Sequence, residues 1–459
     1  MFTAKTYQQR RHTLKKQIHS GLILFLGNPD SPMNYRDNVY PFRQDSSFLY
    51  YGGISRPKVA ILLDLDSGEE YLIGDELDLM ETIFLGPQPA LIDQAKEVGI
   101  SKVISWKVAE NLLKKSCVGD REIHYLPQYR GDNQILLSQL LDCSISALMP
   151  SATLIKAIIE QRLYKSADEI QEISQALEIT KAIHLLAMHE SQVNRYERDI
   201  VAKMVDLAVQ HATQFSYPII FTLHGEVLHE LKHNNLLQDG RLLLNDSGVN
   251  SQLSYASDIT RTFPINGRFS SQQRDIYQLV YHMQKTAFAM LRPGINYRDI
   301  HLQVAHYAVE GLIQLGIMRG DSHAAVEQGA YALFFPHGLG HALGLDVHDM
   351  ENFGEDYVGY TDTIKRSEQF GLSALRFAKP LQEGLVLTVE PGIYFIPLLI
   401  EQWRVAGKCK EFINYEALSA YLNFGGVRIE DNIVITADGY DNLSAAIPSE
   451  INAVEAACR

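Results

Sequence analysis

Five residues with metal-ligand chemistry stand where apolar strands would hold them rigidly. Asp246 closes the run Leu242-Leu243-Leu244-Asn245, and Asp258 opens Asp258-Ile259-Thr260-Arg261-Thr262-Phe263. Glu390 ends an apolar strand over 385–389, and Pro391-Gly392 turns the chain just after it. Glu430 lies inside a strand over 427–435. Alternation there puts Val427, Ile429, Ile433 and Ile435 on one face and Arg428, Glu430 and Asn432 on the other. His341 comes from the loop Pro336-His337-Gly338-Leu339-Gly340-His341. Singly, each has an ordinary reading: a strand-end Asp is usually a turn residue, and a Glu on one strand face is usually solvated. Together they weigh more, because Asp246, Asp258 and Glu390 each interrupt a strand expected to be half-buried. Buried carboxylates are costly unless paired or bound to a metal.

A charge count indicates the chemistry. Four carboxylates contribute −4 and two divalent ions +4, so a two-metal site with one neutral imidazole is locally balanced. Oxygen-rich ligation with a single nitrogen favours hard ions of the Mn2+ type over a thiolate-type zinc site. Two metals roughly 3.5–4 Å apart can lower the pKa of a bridging water and polarise a carbonyl, which is the chemistry of amide hydrolysis. His337 and His341 have HxxxH spacing, but no Glu follows the first His and two glycines oppose a helix. A zincin site is therefore disfavoured.

The elements that must position these residues fall in two parts. Residues 1–150 read as an α/β N-terminal domain. It has a buried strand at Leu22–Leu26, a hairpin of 59–65 and 71–73 turned at Asp66-Ser67-Gly68, and short helices over 92–98 and 109–114. Residues 151–165 read as a linker and 166–459 as the catalytic domain. Ser166 with Glu169 and Ser270 with Gln273 are capping-box patterns, each opening a helix, and Asn296 caps a third that ends near Gly316. Strands cluster over 242–263 and 385–436, so the second domain is α+β.

A length of 459 residues is too great for one core and points to two domains. The net charge is −14, and no Lys/Arg run has interleaved aromatics, so nucleic acid is excluded as the expected partner. Cys117, Cys143, Cys409 and Cys458 show no CxxC spacing and read as free thiols of a reducing compartment. No apolar run approaches the roughly 18–20 residues of a membrane span, and the greasy stretch 392–400 is interrupted by Pro397. The N-terminus lacks the apolar core of a signal peptide. The expectation is a cytoplasmic protein with no membrane partner.

Five motifs carry a family resemblance: Asp246-Ser247-Gly248, Ala256-Ser257-Asp258-Ile259-Thr260-Arg261-Thr262-Phe263-Pro264, Pro336-His337-Gly338-Leu339-Gly340-His341, Thr388-Val389-Glu390-Pro391-Gly392-Ile393-Tyr394 and Gly425-Gly426-Val427-Arg428-Ile429-Glu430-Asp431. In this order they resemble the pita-bread metallopeptidases, and within them the aminopeptidase P and prolidase branch. The stretch Tyr40-Pro41-Phe42-Arg43-Gln44-Asp45-Ser46-Ser47-Phe48-Leu49-Tyr50 is similar to the creatinase-like N-domain of that branch. The resemblance implies a proline-specific metallo-exopeptidase that hydrolyses the Xaa-Pro bond at a peptide N-terminus, acting on peptides with proline in second position. It implies Asp246, Asp258, His341, Glu390 and Glu430 as ligands of two divalent ions, with Asp258 and Glu430 bridging. Mn2+ is the first expectation, with Co2+ or Zn2+ as alternatives. Glu390 would also carry a proton from the nucleophilic water to the leaving nitrogen. His229, His337 and His348 match residues on the substrate side, and Arg428 matches an Arg behind Glu430. A homo-oligomer, dimer or tetramer, is implied as well.

Two features bear on the choice within the branch. The separation of Asp246 and Asp258 is 12 residues, one more than usual there, which places an extra residue in the hairpin tip near 250–252. The segment Gly371-Leu372-Ser373-Ala374-Leu375-Arg376 resembles a prolidase insertion whose Arg binds the free C-terminal carboxylate of a dipeptide, a task suited to a planar guanidinium fork. Whether the enzyme is a dipeptidase or an aminopeptidase stays open, with a slight lean to dipeptides. The competing class is a metal-free pita-bread binding module, and retention of all five ligands argues against it. A creatinase-type hydrolase is opposed on the same ground, and methionine aminopeptidase by the large N-domain.

Overall fold

The run Leu22-Ile23-Leu24-Phe25-Leu26 is apolar at every position, which suits a strand covered on both faces. In the computed structural model, which describes residues 1–459, it forms β1 (Leu22–Leu26), buried throughout. β2 (Ala60–Asp64) and β3 (Glu70–Ile73) make the antiparallel hairpin expected from the sequence, turned through Gly68 at φ 76°. β4 (Lys102–Ile104) adds to β3 in parallel and β5 (Ile123–Tyr125) to β1 in parallel, giving the order β4-β3-β2-β1-β5. On one face Leu22, Leu24 and Leu26 pack with Ala109 and Leu113 of the helix Trp106–Val118 and with Leu137 and Leu140 of Gly131–Leu141. On the other face Phe25 stacks against Tyr51 at 4.6 Å.

This sheet belongs to a unit made of Met1–Gln161 with Asn352–Tyr357. Arg162–Glu351 with Val358–Arg459 make the second unit. The segment 151–165, expected as a linker, is mostly the helix Ala152–Arg162, with Leu154 and Ile158 wholly buried.

The second unit mixes long helices with short antiparallel strands. Both expected capping boxes form, Ser166 with Glu169 ahead of Ala167–Glu190 and Ser270 with Gln273 ahead of Ser271–Phe288. Asn296 stands at the N-cap of Tyr297–Gln314, but its side chain accepts no backbone N–H of the helix, and its amide donates to Asp299 Oδ2 at 2.8 Å. β6 (Ile220–Thr222), β7 (Leu242–Asp246) and β8 (Thr260–Pro264) form one antiparallel sheet in that order. β9 (Val386–Val389) and β10 (Gly392–Tyr394) form one arm of a second arrangement, and β11 (Gly426–Arg428) and β12 (Asp431–Ile435) form the returning arm. β13 (Tyr440–Asn442) borders β12. The apolar stretch 392–400 divides between β10 and the helix Pro397–Ala406, which Pro397 opens. No helix is long and apolar enough to cross a membrane.

The single strand expected over 427–435 is broken, and the break has a physical cause. Gly392 lies opposite Arg428 and Val389 opposite Asp431, so Glu390-Pro391 and Ile429-Glu430 face each other across a gap in the ladder. Pro391 has no N–H to donate, and the Glu430 N–H goes to the Thr260 carbonyl of β8 at 3.0 Å. Two carboxylates thus leave the ladder at the same place. Nor does this stretch have a solvent face, because every residue over 426–435 is buried.

Candidate metal centre

Backbone contacts bring the nominated ligands together. Asp246 ends β7, and Asp258 precedes β8 by two residues after a turn containing Ser254 at φ 69°. The Asn432 side chain grips the Asp258 backbone from both sides: Oδ1 accepts its N–H at 3.1 Å, and Nδ2 donates to its carbonyl at 2.6 Å. The His341 loop lies along β9, with Thr388 N–H donating to His341 O at 3.0 Å and His341 N–H to Thr388 Oγ1 at 3.1 Å. So close an approach requires Gly340, since a Cβ there would sit 2.1 Å from the Thr388 carbonyl oxygen.

All ten nominated residues line one cavity of about 410 Å³: Asp246, Asp258, His341, Glu390, Glu430, His229, His337, His348, Arg376 and Arg428. Asp258, His341 and Glu430 each present a ligand atom within 4.8 Å of the others. His341 Nε2 lies 3.3 Å from Asp258 Oδ2 and 3.6 Å from Glu390 Oε1. The Ala342 carbonyl accepts from His341 Nδ1 at 3.1 Å, so Nε2 is the ring nitrogen that faces the two carboxylates, free to ligate once its own proton is lost.

The carboxylates are perturbed by their surroundings. Burial pushes Glu390 up to about 7, with the charges of Asp258 and Asp246 adding to the effect. Glu430 is driven well above the carboxylate range by burial and then by Asp258, Glu390 and Asp246. Burial also raises Asp246, while Asp258 is lowered because hydrogen bonds to His341 and Tyr217 outweigh its burial. An oxygen-rich donor set with one imidazole nitrogen and surplus negative charge fits divalent cations.

Around this set runs a layer of oriented donors. Arg428, buried, donates from Nη2 to Asp246 Oδ2 at 2.5 Å, from Nε to Thr260 Oγ1 at 2.9 Å and from Nη1 to the Tyr394 hydroxyl at 2.8 Å. The Thr260 hydroxyl in turn donates to Glu430 Oε2 at 2.7 Å. The Tyr217 hydroxyl lies 2.5 Å from Asp258 Oδ1 and 2.7 Å from Asp246 Oδ1, so one proton serves two carboxylates. His337 has both ring nitrogens engaged, Nδ1 with the Gly338 carbonyl at 2.8 Å and Nε2 with Tyr394 at 2.9 Å. Burial, then Arg428, lowers its pKa to about 3, so the ring is neutral. His348 stacks edgewise on His341 with centroids 4.3 Å apart, and its Nδ1 meets Glu351 Oε2 at 2.5 Å. Arg376 pairs with Glu351 Oε1 at 2.8 Å. His229 is exposed at the cavity wall.

Sequence reasoning gave no role to Tyr217, Thr260, Tyr394 or Glu351. Thr260 and Tyr394 stood within the quoted motifs, two residues from Asp258 and four from Glu390, which is a usable signal. Tyr217 is a lone aromatic with no telling spacing.

Residues 171–437 match the family model described as metallopeptidase family M24, and residues 7–124 match the aminopeptidase P N-terminal domain. The chain is 32% identical to a Xaa-Pro aminopeptidase of Haemophilus influenzae, covering 98% of this chain and 96% of that one. It is 31% identical to the Xaa-Pro aminopeptidase of Escherichia coli, covering 99% and 98%. Among solved structures it is similar to zinc-substituted E. coli aminopeptidase P in complex with product, with a TM-score of 0.82 and 27% identity, covering 100% of this chain and 98% of that one. The E. coli aminopeptidase P with the inhibitor Pro-Leu matches at the same TM-score of 0.82 with 28% identity over the same shares, 100% and 98%.

Proposed function

This chain belongs to metallopeptidase family M24, with an aminopeptidase P N-terminal domain ahead of the catalytic one, and from that premise we propose how it works. It is a metallo-exopeptidase that cleaves the bond before a proline in second position and releases the N-terminal residue. The observation that carries this reading is the ladder gap, where Glu390 and Glu430 leave two paired arms together beside Asp246, Asp258 and His341. Those five residues would hold two divalent ions, Mn2+ first. Such ions supply a lowered water pKa and polarisation of the scissile carbonyl.

The protein residues divide the remaining work. Glu390 takes the proton of the attacking water and returns it to the proline nitrogen, which as a tertiary amide has no N–H of its own. Arg428 and Thr260 fix the orientation of Asp246 and Glu430 through the hydrogen bonds described above. His229, His337 and His348 line the side on which substrate lies.

We place the enzyme on the aminopeptidase side of its branch. Arg376 already has Glu351 at 2.8 Å, so a dipeptide carboxylate must compete for it. The relatives above carry the name Xaa-Pro aminopeptidase across nearly their full lengths. We further propose a cytoplasmic location and a homo-oligomer, the oligomer supported by the helix Leu79–Leu85, whose Leu79, Ile83, Phe84 and Leu85 are exposed. The deciding assay compares Xaa-Pro, Xaa-Pro-Yaa and Xaa-Ala-Yaa peptides on Mn2+-loaded protein. Cleavage of the tripeptide before proline, and none of the alanine peptide, is expected. Equal cleavage of the alanine peptide would remove the proline specificity, and exclusive cleavage of dipeptides would restore the prolidase alternative.

A further inference from the structure

The loop carrying His348 is built to fix one ring nitrogen. Residues His348, Asp349, Met350 and Glu351 form a turn closed by Glu351 N–H donating to the His348 carbonyl at 3.2 Å. Its third residue, Met350, has φ 62°, in the left-handed region where Gly or Asn is the usual occupant. Behind the turn, Asp349 is buried and accepts from Arg162 Nη2 and Lys165 Nζ, both at 2.8 Å, which anchors the strained backbone.

The turn brings its first and fourth side chains together, so Glu351 Oε2 lies 2.5 Å from His348 Nδ1. An ionised carboxylate can only accept, and therefore Nδ1 carries the hydrogen and Nε2 is the nitrogen left to the cavity. The second Glu351 oxygen accepts from Arg376, which holds the carboxylate in place from its other side. Glu351 is thus gripped at both oxygens, one grip being the substrate-side histidine.

Building on the metallopeptidase reading above, we propose that Glu351 is a positioning residue, which holds His348 in the tautomer that turns Nε2 toward the substrate and acts on hydrolysis through His348 alone. Glu351→Gln tests this, because an amide can either accept from Nδ1 or donate to it and so releases the tautomer.

Nitrogen-15 NMR of histidine-labelled, zinc-loaded protein reads the tautomer without reference to activity, with the His348 signals identified by their loss in His348→Ala. The wild type should show hydrogen on Nδ1, and Glu351→Gln a mixture. With an Xaa-Pro-Yaa peptide, Glu351→Gln should lower kcat roughly 10- to 100-fold with its metal content unchanged. Glu351→Asp should recover part of the loss. In a His348→Ala background Glu351→Gln should cost nothing further. An unchanged tautomer in Glu351→Gln, or the same fold-loss in the His348→Ala background, overturns the proposal. A tautomer lost as expected in a protein that cleaves no Xaa-Pro peptide would support the positioning role and sink the peptidase reading instead.

Discussion

Loading the metal-free protein with divalent ions should expel protons, and the cluster itself sets a lower limit on their number. Glu390 is pushed up to about 7 and Glu430 well above the carboxylate range, in both cases by burial first and neighbouring charge second. At pH 7 the coupled pair therefore holds more than one proton between its two carboxylates. His341 adds to that count, since Asp258 and Glu390 outweigh burial and raise it, and it must bind as a neutral ring. Ligation needs ionised carboxylates, so these protons leave as the ions enter. Affinity then rises with pH. A release of more than one proton means a gain of more than roughly tenfold per pH unit around pH 7, steeper near pH 6 and shallower above pH 8. Titration calorimetry in buffers of different ionisation enthalpy counts the protons directly. A binding heat that ignores the buffer, or an affinity flat from pH 6 to 8, would refute the assignment of the ions to this cluster.

Glu430→Gln removes a charge from the carboxylates proposed to balance two divalent ions; it should lower metal occupancy and nearly abolish hydrolysis while the fold survives. Two ions per chain with wild-type turnover would contradict it. His348→Ala should lower kcat by the equivalent of about 2.7–4 kcal/mol, as for loss of other transition-state donors, with both metals retained on elemental analysis. Arg376→Ala should change KM for Xaa-Pro and Xaa-Pro-Yaa peptides alike, and a loss confined to dipeptides would return Arg376 to a carboxylate-binding role. Arg261 is wholly buried and paired with Asp431 at 2.6 Å, so Arg261→Met leaves an uncompensated buried charge. Urea unfolding should show about 3–5 kcal/mol lost, and a change within experimental error would contradict the pairing.

Much of this arrangement could be read from residue types and spacing. The hairpin of β2 and β3 was marked by Asp66-Ser67-Gly68, and two helix starts by Ser and an acid or amide three residues later, because these signals are local. The helix Ala152–Arg162 was missed, because the segment was read as a linker, although Leu154, Ile155, Ile158 and Ile159 recur at helical spacing and are buried. What could not be read was the break at Ile429-Glu430. It arises from pairing with a distant arm interrupted at Pro391, while the local sequence alternates as a continuous strand would. The same holds for Tyr217, whose hydroxyl meets two carboxylates 29 and 41 residues away in the chain. Glu351 lies three residues from His348, but only the left-handed turn at Met350 brings the two side chains together, and nothing in a methionine announces that conformation.

On the proposed function, buried carboxylates and one imidazole would hold two metal ions for cleavage before proline. The direct measurement is release of the N-terminal residue from an Xaa-Pro-Yaa peptide, by metal-stripped protein and by the same protein reloaded with Mn2+, with metal content determined on each sample. No release is expected from the stripped protein, and release at the Xaa-Pro bond alone once two ions per chain are restored. Undiminished release by the stripped protein, or an inert protein holding both ions, would contradict it.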